Sequence, residues 1–184
     1  MILISTTLIT TAGCASLPGE TMQPVQYVDL NRFMGQWHVI ADVETLFDKG
    51  ALNPMEHYEL NDDGSINTVY SFSREGKPDR RKMKAKGFVT DQTSNAIWGM
   101  QFVWPIKADY RIVYLDEDYT TTIIARQKRD FVWIMSRTPT IEPARLDELL
   151  AIVASLGYDI DELRIHQPQP DLETKPLGSA AGAF

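Results

Sequence analysis

The side chains that most often carry out chemistry are few and scattered in this sequence. Its three histidines are His38, His57 and His166, and its single cysteine is Cys14. A zinc hydrolase would need two histidines one helical turn apart beside a glutamate, a redox pair would need a second cysteine, and phosphate binding would need a glycine-rich loop. None of these patterns occurs in the 184 residues. We therefore expect a binding protein rather than an enzyme, with no catalytic residue, no metal and no cofactor.

Cys14 predicts a different chemistry, which is lipidation. It ends an apolar, hydroxyl-rich opening, directly follows the small residues Ala12 and Gly13, and precedes a polar segment. This order resembles a bacterial lipoprotein signal, in which the cysteine is lipidated and becomes the mature N-terminus. The match is partial, because no Lys or Arg precedes the apolar stretch and Thr11 stands where such signals carry leucine. The alternative is an incidental cysteine in a disordered N-terminus.

Composition and charge limit the size of the fold and the kind of partner. A chain of 184 residues with 43% hydrophobic content is about the size of one domain with one core. A single cysteine allows no internal disulfide, so packing must stabilise the fold. The net charge of -7 argues against nucleic acid as a partner, since nucleic acid attracts basic surfaces.

The middle of the chain reads as short strands joined by turn residues. Such short links predict antiparallel neighbours in sequence order, and closing eight strands into a barrel leaves no unpaired edges. We therefore predict an all-β fold, an eight-stranded antiparallel up-and-down β-barrel with one flanking C-terminal α-helix. The eight predicted strands cover residues 36–43, 54–60, 65–73, 82–90, 95–103, 109–115, 120–126 and 131–137.

The last predicted barrel strand is apolar on both faces, since Val132 and Ile134 alternate with Phe131, Trp133 and Met135. A strand of this kind must be covered on both sides. The following segment supplies a cover, because it predicts a helix that starts near a proline and stops at a glycine. An apolar stripe marks the face that this helix would bury: Leu146, Leu149, Leu150, Val153 and Leu156. A short final strand is predicted within residues 161–167.

Three motifs in order resemble the lipocalin family, most of all the bacterial outer-membrane lipoprotein lipocalins, which are similar to apolipoprotein D. They are VDLNRFMGQWHVIAD from Val28, YLDEDY from Tyr114 and WIMSRTPT from Trp133, with a helix after the last. Any one of them would be a weak signal. Their order along most of the chain makes the resemblance specific.

The resemblance implies structural roles for four residues. Gly35 would let the chain pass from a short helical turn into the first strand where a Cβ would crowd. Trp37 would plug the closed end of the barrel, and Arg137 would lie across its indole in a cation–π contact of about 1–2 kcal/mol. Asp116 matches the second motif, in the turn after the sixth strand. These residues would close one end so that the other can admit a ligand.

Alternation along the strands predicts which side chains point into the barrel and bind a ligand. The predicted wall is apolar and aromatic, which suits an acyl chain. Glu56 shares this inward phase, and because an unpaired buried carboxylate is costly, it must lie at the mouth, be paired, or be protonated. The predicted ligand-binding residues are Val39, Glu56, Tyr58, Tyr70, Phe72, Met83, Trp98, Met100, Phe102 and Tyr114.

These readings divide the chain into a signal peptide (1–13), a lipidated N-terminus and tether (14–28), a barrel with its helix (29–167) and a disordered tail (168–184). By resemblance, the protein would be lipid-anchored in the bacterial outer membrane, facing the periplasm, as a monomer or homodimer. It would bind fatty acids or lysophospholipids for lipid transport or storage in envelope maintenance. Two alternatives stay open: a ligand-free barrel that binds other envelope proteins, and a lipocalin-like enzyme.

Overall fold

A computed structural model describes residues 21–77, 79–166 and 168, which form one antiparallel sheet and two α-helices. The predicted signal peptide and Cys14 lie outside the described residues, as does the predicted tail apart from residue 168. Within the described ranges, neither helix is long and apolar enough to cross a bilayer. The strands are β1 (Gly35–Val43), β2 (Leu52–Leu60), β3 (Ser65–Ser73), β4 (Arg81–Val89), β5 (Ile97–Val103), β6 (Ile106–Leu115), β7 (Thr121–Ala125), β8 (Val132–Ser136) and β9 (Leu163–Ile165). The helices are α1 (Leu30–Phe33) and α2 (Pro143–Ser155), and a 3-10 turn covers Ile160–Glu162.

The first eight strands form the closed up-and-down barrel that the sequence predicts. Each strand from β2 to β7 pairs with the next, and β1 pairs with both β8 and β2. The pairing of β1 with β2 ends at His38, and beyond it the short strand β9 pairs with β1 at Ala41, Asp42 and Val43. The prediction of a short final strand is confirmed. The main boundary difference is in β6, which begins three residues before its predicted start.

Apolar residues divide between the barrel interior and the layer under α2. Helix α2 starts at Pro143, whose fixed φ suits the first turn, and is followed by Gly157 at φ +87°. Its predicted apolar stripe packs on the outside of the barrel, with Leu149 and Val153 fully buried. Val132 and Ile134 of β8 meet this stripe, while the other face of β8 points inward. The two-sided pattern of β8 is thus explained by its position between core and helix.

The segment before α1 packs against the barrel, although the sequence assigned it to a free tether. The side chains of Met22 and Val28 are buried. The Val25 N–H donates to the carbonyl of Ile112 (2.9 Å), and the Val28 N–H donates to the carbonyl of Ser94 (2.7 Å). The predicted tether of residues 14–28 is therefore too long, because its last residues bury apolar surface and satisfy backbone groups.

A buried ion-pair network fastens β9 to the start of the barrel. The Arg164 guanidinium donates two hydrogen bonds to the carboxylate of Asp42 (3.0 and 2.9 Å) and one to Asp48 (3.0 Å). It also reaches Glu44 (2.8 Å). Asp42 is fully buried and Asp48 almost so. One arginine therefore bridges two buried carboxylates that lie more than a hundred residues earlier in the chain.

Replacing Arg164 with methionine should destabilise the fold strongly, because Asp42 and Asp48 would stay buried without their cation. We expect Arg164→Met to lower the free energy of unfolding by about 3 kcal/mol. The control is Lys86→Met, which breaks an exposed ion pair with Asp63 (3.1 Å) and should cost less than about 1 kcal/mol. Urea unfolding of both variants measures the difference. Equal losses would contradict the structural role given to Arg164.

Candidate functional site

One end of the barrel is closed by aromatic side chains where the chain enters β1. Helix α1 is capped by Asp29, whose carboxylate accepts hydrogen bonds from the N–H groups of Asn31 and Arg32. The chain then places Phe33 and Trp37 inside the barrel, where both side chains are fully buried. The Trp37 Nε1–H donates to the carbonyl of Phe33 (2.9 Å). The indole nitrogen is thereby satisfied without water.

Arg137, in the turn after β8, covers this plug. Its guanidinium carbon lies 3.7 Å from the centroid of the Trp37 ring. Its N–H groups donate to the carbonyls of Gln36 (2.8 Å), Arg32 (2.8 Å) and Phe33 (3.0 Å). Burial lowers the pKa of Arg137 to about 10, so it stays protonated at neutral pH. One cation thus holds the end of α1, the start of β1 and the end of β8 together.

Gly35 and Asp116 shape the turns around this end. Gly35 has φ +94°, a conformation that favours glycine. A Cβ there would lie 3.5 Å from Arg137 Nη1, which is an ordinary contact, so the backbone conformation rather than the predicted crowding requires glycine.

Desolvation of Asp116 opposes its ionisation, but hydrogen bonds from the N–H and hydroxyl groups of Thr120 and Thr121 hold its pKa below the usual value. Asp116 therefore fixes the turn between β6 and β7.

A layer of aromatic rings lies between this plug and the rest of the interior. Phe33 contacts Tyr58 and Trp98, with ring centroids 5.6 and 5.5 Å apart. Trp98 stacks on Tyr110 at 4.9 Å, and the hydroxyls of Tyr58 and Tyr110 are hydrogen-bonded (2.7 Å). Tyr58 and Tyr110 border the cavity beyond the layer, whereas Phe33, Trp37 and Trp98 do not. The layer is therefore the floor of that cavity.

The cavity has a volume of about 610 Å³, within the range of small-molecule sites. Its mouth is marked by exposed apolar side chains from the β1–β2 loop and the end of β5: Phe47, Phe102 and Val103 are 74%, 55% and 69% exposed. The barrel is therefore closed at one end and open at the other. Apolar and aromatic side chains of β2 to β8 form most of the wall: Tyr58, Tyr70, Met83, Ala85, Met100, Ala108, Tyr110, Ile124, Trp133 and Met135.

The structure brings most of the predicted ligand-binding residues to this cavity. Those that border it are Glu56, Tyr58, Tyr70, Met83, Met100 and Phe102. Val39, Phe72 and Trp98 point inward but are packed among other buried side chains and do not reach the cavity. Alternation gives the direction of a side chain, whereas its depth along the barrel depends on which neighbours fill the space.

Tyr114 was wrongly predicted to point inward. A bulge in β6 places one extra residue between Ile112 and Tyr114, so their partners on β7 are the adjacent residues Ile124 and Ile123. Ile112 faces the interior, but Tyr114 packs in the layer under α2. There its hydroxyl accepts a hydrogen bond from Arg145 of that helix. The bulge reverses the alternation on which the prediction depended.

Several wall residues were not predicted from the sequence. Tyr110 lies two residues before the inward-facing Ile112, so alternation could have identified it. Trp133 and Met135 lie on the β8 face opposite the helix and could have been assigned from the same two-sided pattern. Phe47 and Asp48 also border the cavity, but they lie in a loop, where no periodic signal exists.

Glu56 is the cavity residue whose chemistry is most altered by its surroundings. It lies on β2 opposite Trp37 of β1 and Tyr70 of β3, on the inner face of the barrel. Its Oε2 atom is buried and has no hydrogen-bond partner among the described residues. Desolvation raises the pKa of Glu56 from 4.5 to about 8. Of the three options left open by the sequence, the structure supports a protonated carboxyl group at neutral pH.

Comparisons with known proteins agree with the motif resemblance. A model of the family described as "Lipocalin-like domain" matches residues 28–168. The outer membrane lipoprotein Blc of Citrobacter freundii is 31% identical over 155 residues, covering 82% of this chain and 86% of that protein. Apolipoprotein D of Bos taurus is 28% identical over 152 residues, covering 77% of this chain and 78% of that protein.

A solved structure supports the architecture independently. Insecticyanin from the tobacco hornworm Manduca sexta superposes with a TM-score of 0.64 at 17% sequence identity, covering 85% of this chain and 88% of that protein. At this identity the likeness concerns the fold. It shows that the closed barrel with a following helix is a known architecture.

The raised pKa of Glu56 predicts a stability difference that depends on pH. Between pH 4.5 and about 8 the folded protein holds a proton on Glu56 that the unfolded chain releases, so wild-type stability falls as the pH rises through this window. Glu56→Gln removes the titration at nearly constant size. From pH 5 to pH 7 we expect its stability to rise relative to wild type by up to about 1.4 kcal/mol per pH unit.

Urea unfolding at pH 5, 6 and 7 measures this difference. The matched control is Glu59→Gln, since Glu59 lies on the same strand but is exposed. Its stability relative to wild type should stay nearly constant. A constant difference for Glu56→Gln as well would contradict the protonated, buried state of Glu56.

Proposed function

Because the chain belongs to the lipocalin family, we propose that it is a lipid-binding protein whose barrel holds the acyl chain of a fatty acid or lysophospholipid. The observation that carries this proposal is the cavity of about 610 Å³, closed at one end by aromatic rings and open at the other. Its wall is mostly apolar, so an acyl chain that binds there is transferred from water to an apolar environment. The proposed role is binding for transport or storage, without catalysis or a cofactor.

The energetics of burial support an acyl chain as the ligand. Each buried methylene group contributes about 0.8 kcal/mol, so a C16 chain gains on the order of 10 kcal/mol before the costs of association. Those costs remove a large part of the gain but leave useful affinity without any ion pair. The aromatic rings of Tyr70 and Trp133 and the thioethers of Met100 and Met135 add polarisable contacts along the wall.

For location, we propose a lipid-anchored protein of the bacterial outer membrane that faces the periplasm and serves envelope maintenance. Two observations support this. The Citrobacter freundii relative is named an outer membrane lipoprotein, and Cys14 follows a small-residue pair after an apolar opening. A lipidated cysteine would hold the protein at the membrane while the barrel binds lipid separately. Membrane attachment and lipid binding would therefore depend on different parts of the chain.

Filling the cavity should abolish acyl-chain binding. Ala85 borders the cavity on β4, whereas Lys82 on the same strand is exposed and does not. We expect Ala85→Trp to weaken binding of palmitate and C16 lysophospholipid more than tenfold, and Lys82→Trp to leave it unchanged. Isothermal titration calorimetry measures the affinities, and thermal melting confirms that both variants fold. Equal binding by the two variants, or no binding by wild type, would refute the proposed function.

The proposed anchor has a separate test. Cys14→Ala should move the full chain from the membrane fraction to the soluble fraction of bacterial cells, because lipidation needs the thiol. The affinity of the purified variant for palmitate should not change, since the cavity is formed by other residues. Unchanged retention in the membrane fraction would refute the anchor and leave the lipid-binding proposal standing.

A further inference from the structure

Three residues that border the cavity have a buried polar atom without a hydrogen-bond partner among the described residues: Glu56 (Oε2), Thr68 (Oγ1) and Arg126 (Nε). Arg126 follows β7 and is ion-paired with Asp130 (3.4 Å). The other two lie on the adjacent strands β2 and β3. Glu56 pairs with Tyr70 across β2 and β3, and Thr68 lies two residues before Tyr70, so the two side chains are diagonal neighbours on the inner face. A single polar atom of a ligand can lie between positions this close.

A third polar group adjoins them on the same wall. Tyr58 pairs directly with Thr68 across the two strands, and its hydroxyl is hydrogen-bonded to that of Tyr110 (2.7 Å). When one tyrosine donates to the other, the accepting hydroxyl keeps its own proton free to donate. Buried polar groups are nearly always hydrogen-bonded. A cluster of polar groups with unused hydrogen-bonding capacity on a cavity wall therefore indicates where the polar atoms of a ligand bind.

The protonation states of the side chains on this wall determine which kind of ligand head group can bind there. Tyr58, Tyr70 and Tyr110 are close enough to Glu56 to interact with it electrostatically, and burial raises the pKa of each. The hydroxyl of Tyr70 already donates to Asp48 (3.0 Å). At neutral pH these hydroxyls are therefore un-ionised. Burial raises the pKa of Glu56 to about 8, so its carboxyl both donates and accepts a hydrogen bond. An ionised head placed against Glu56, Thr68, Tyr58 and Tyr110 would lose its hydration, and none of these four side chains carries a positive charge to pair with it.

We propose that Glu56, Thr68 and the Tyr58–Tyr110 pair form an inner polar site that binds the neutral hydroxyl-bearing head of a single-chain lipid. The head group is a hydroxyl or an un-ionised carboxyl group, and the lipid enters head first with its chain directed toward the mouth. This inference depends on the proposed function, because it concerns the same cavity. Of the ligands proposed above, it favours protonated fatty acids over lysophospholipids, whose heads are charged, and it extends the ligand class to long-chain alcohols and monoacylglycerols.

A pair of ligands that differ in one group tests the inner site. 1-Dodecanol and 1-chlorododecane have the same chain, but only the alcohol can both donate and accept a hydrogen bond. We expect the full wild-type chain to bind the alcohol about tenfold more tightly, as for one well-formed buried hydrogen bond. The preference should vanish in Glu56→Leu, fall to about threefold in Thr68→Val and survive in Glu56→Gln, which keeps a donor and an acceptor. Displacement of a fluorescent fatty-acid probe measures all four proteins.

The matched control is Asn67→Val, since Asn67 precedes Thr68 on β3 but is exposed. This variant should keep the full preference for the alcohol. Equal affinity of wild type for both ligands, or an unchanged preference in Glu56→Leu and Thr68→Val, would overturn the inner polar site while leaving the acyl-chain proposal intact. Failure of wild type to bind either ligand would overturn both proposals.

Discussion

Strand β1 is the constraint on which the rest of the structure depends, because its pairing with both β8 and β2 closes the sheet. Closure divides the side chains of each strand between an interior and an outer face, and a slip of one residue would exchange them. The contact of Arg137 with Trp37 joins the end of β8 to the start of β1, so it fixes the register at the point of closure. The same contact closes one end of the barrel.

Closing one end gives the interior its two parts. Beside the plug, the rings of Phe33, Tyr58, Trp98 and Tyr110 are in contact, with centroids 4.9–5.6 Å apart. Beyond them, small side chains such as Ala85 and Ala108 leave a volume far larger than the voids usual in protein interiors. The apolar wall suits an acyl chain. Oε2 of Glu56, which has no partner within the part of the chain that the structure describes, provides a polar end to the volume. Shape and chemistry therefore both favour a ligand with one chain and one small neutral head.

Much of this arrangement could be predicted from the sequence, and the failures have physical causes. The two-sided pattern of β8 and the apolar stripe of α2 predicted the layer between them, because both depend on regular periodicity. Tyr114 was misassigned because a bulge changes the period locally. The pairing of Arg164 with Asp42 could not be predicted, since the two residues are far apart in sequence and meet only when β9 joins β1. Likewise, the packing of Met22 on the barrel depends on tertiary contacts that no local pattern reveals.

Native mass spectrometry of the purified full-length Cys14→Ala protein, followed by organic extraction, tests most directly whether the barrel binds a single-chain lipid. If it is, the folded protein carries one single-chain lipid per barrel, or takes one up when incubated with C16 fatty acid or lysophospholipid. The extracted lipid would then identify the preferred head group. A bare protein mass that persists after such incubation would contradict a lipid-binding cavity, and the function would have to be sought on the outer surface of the barrel.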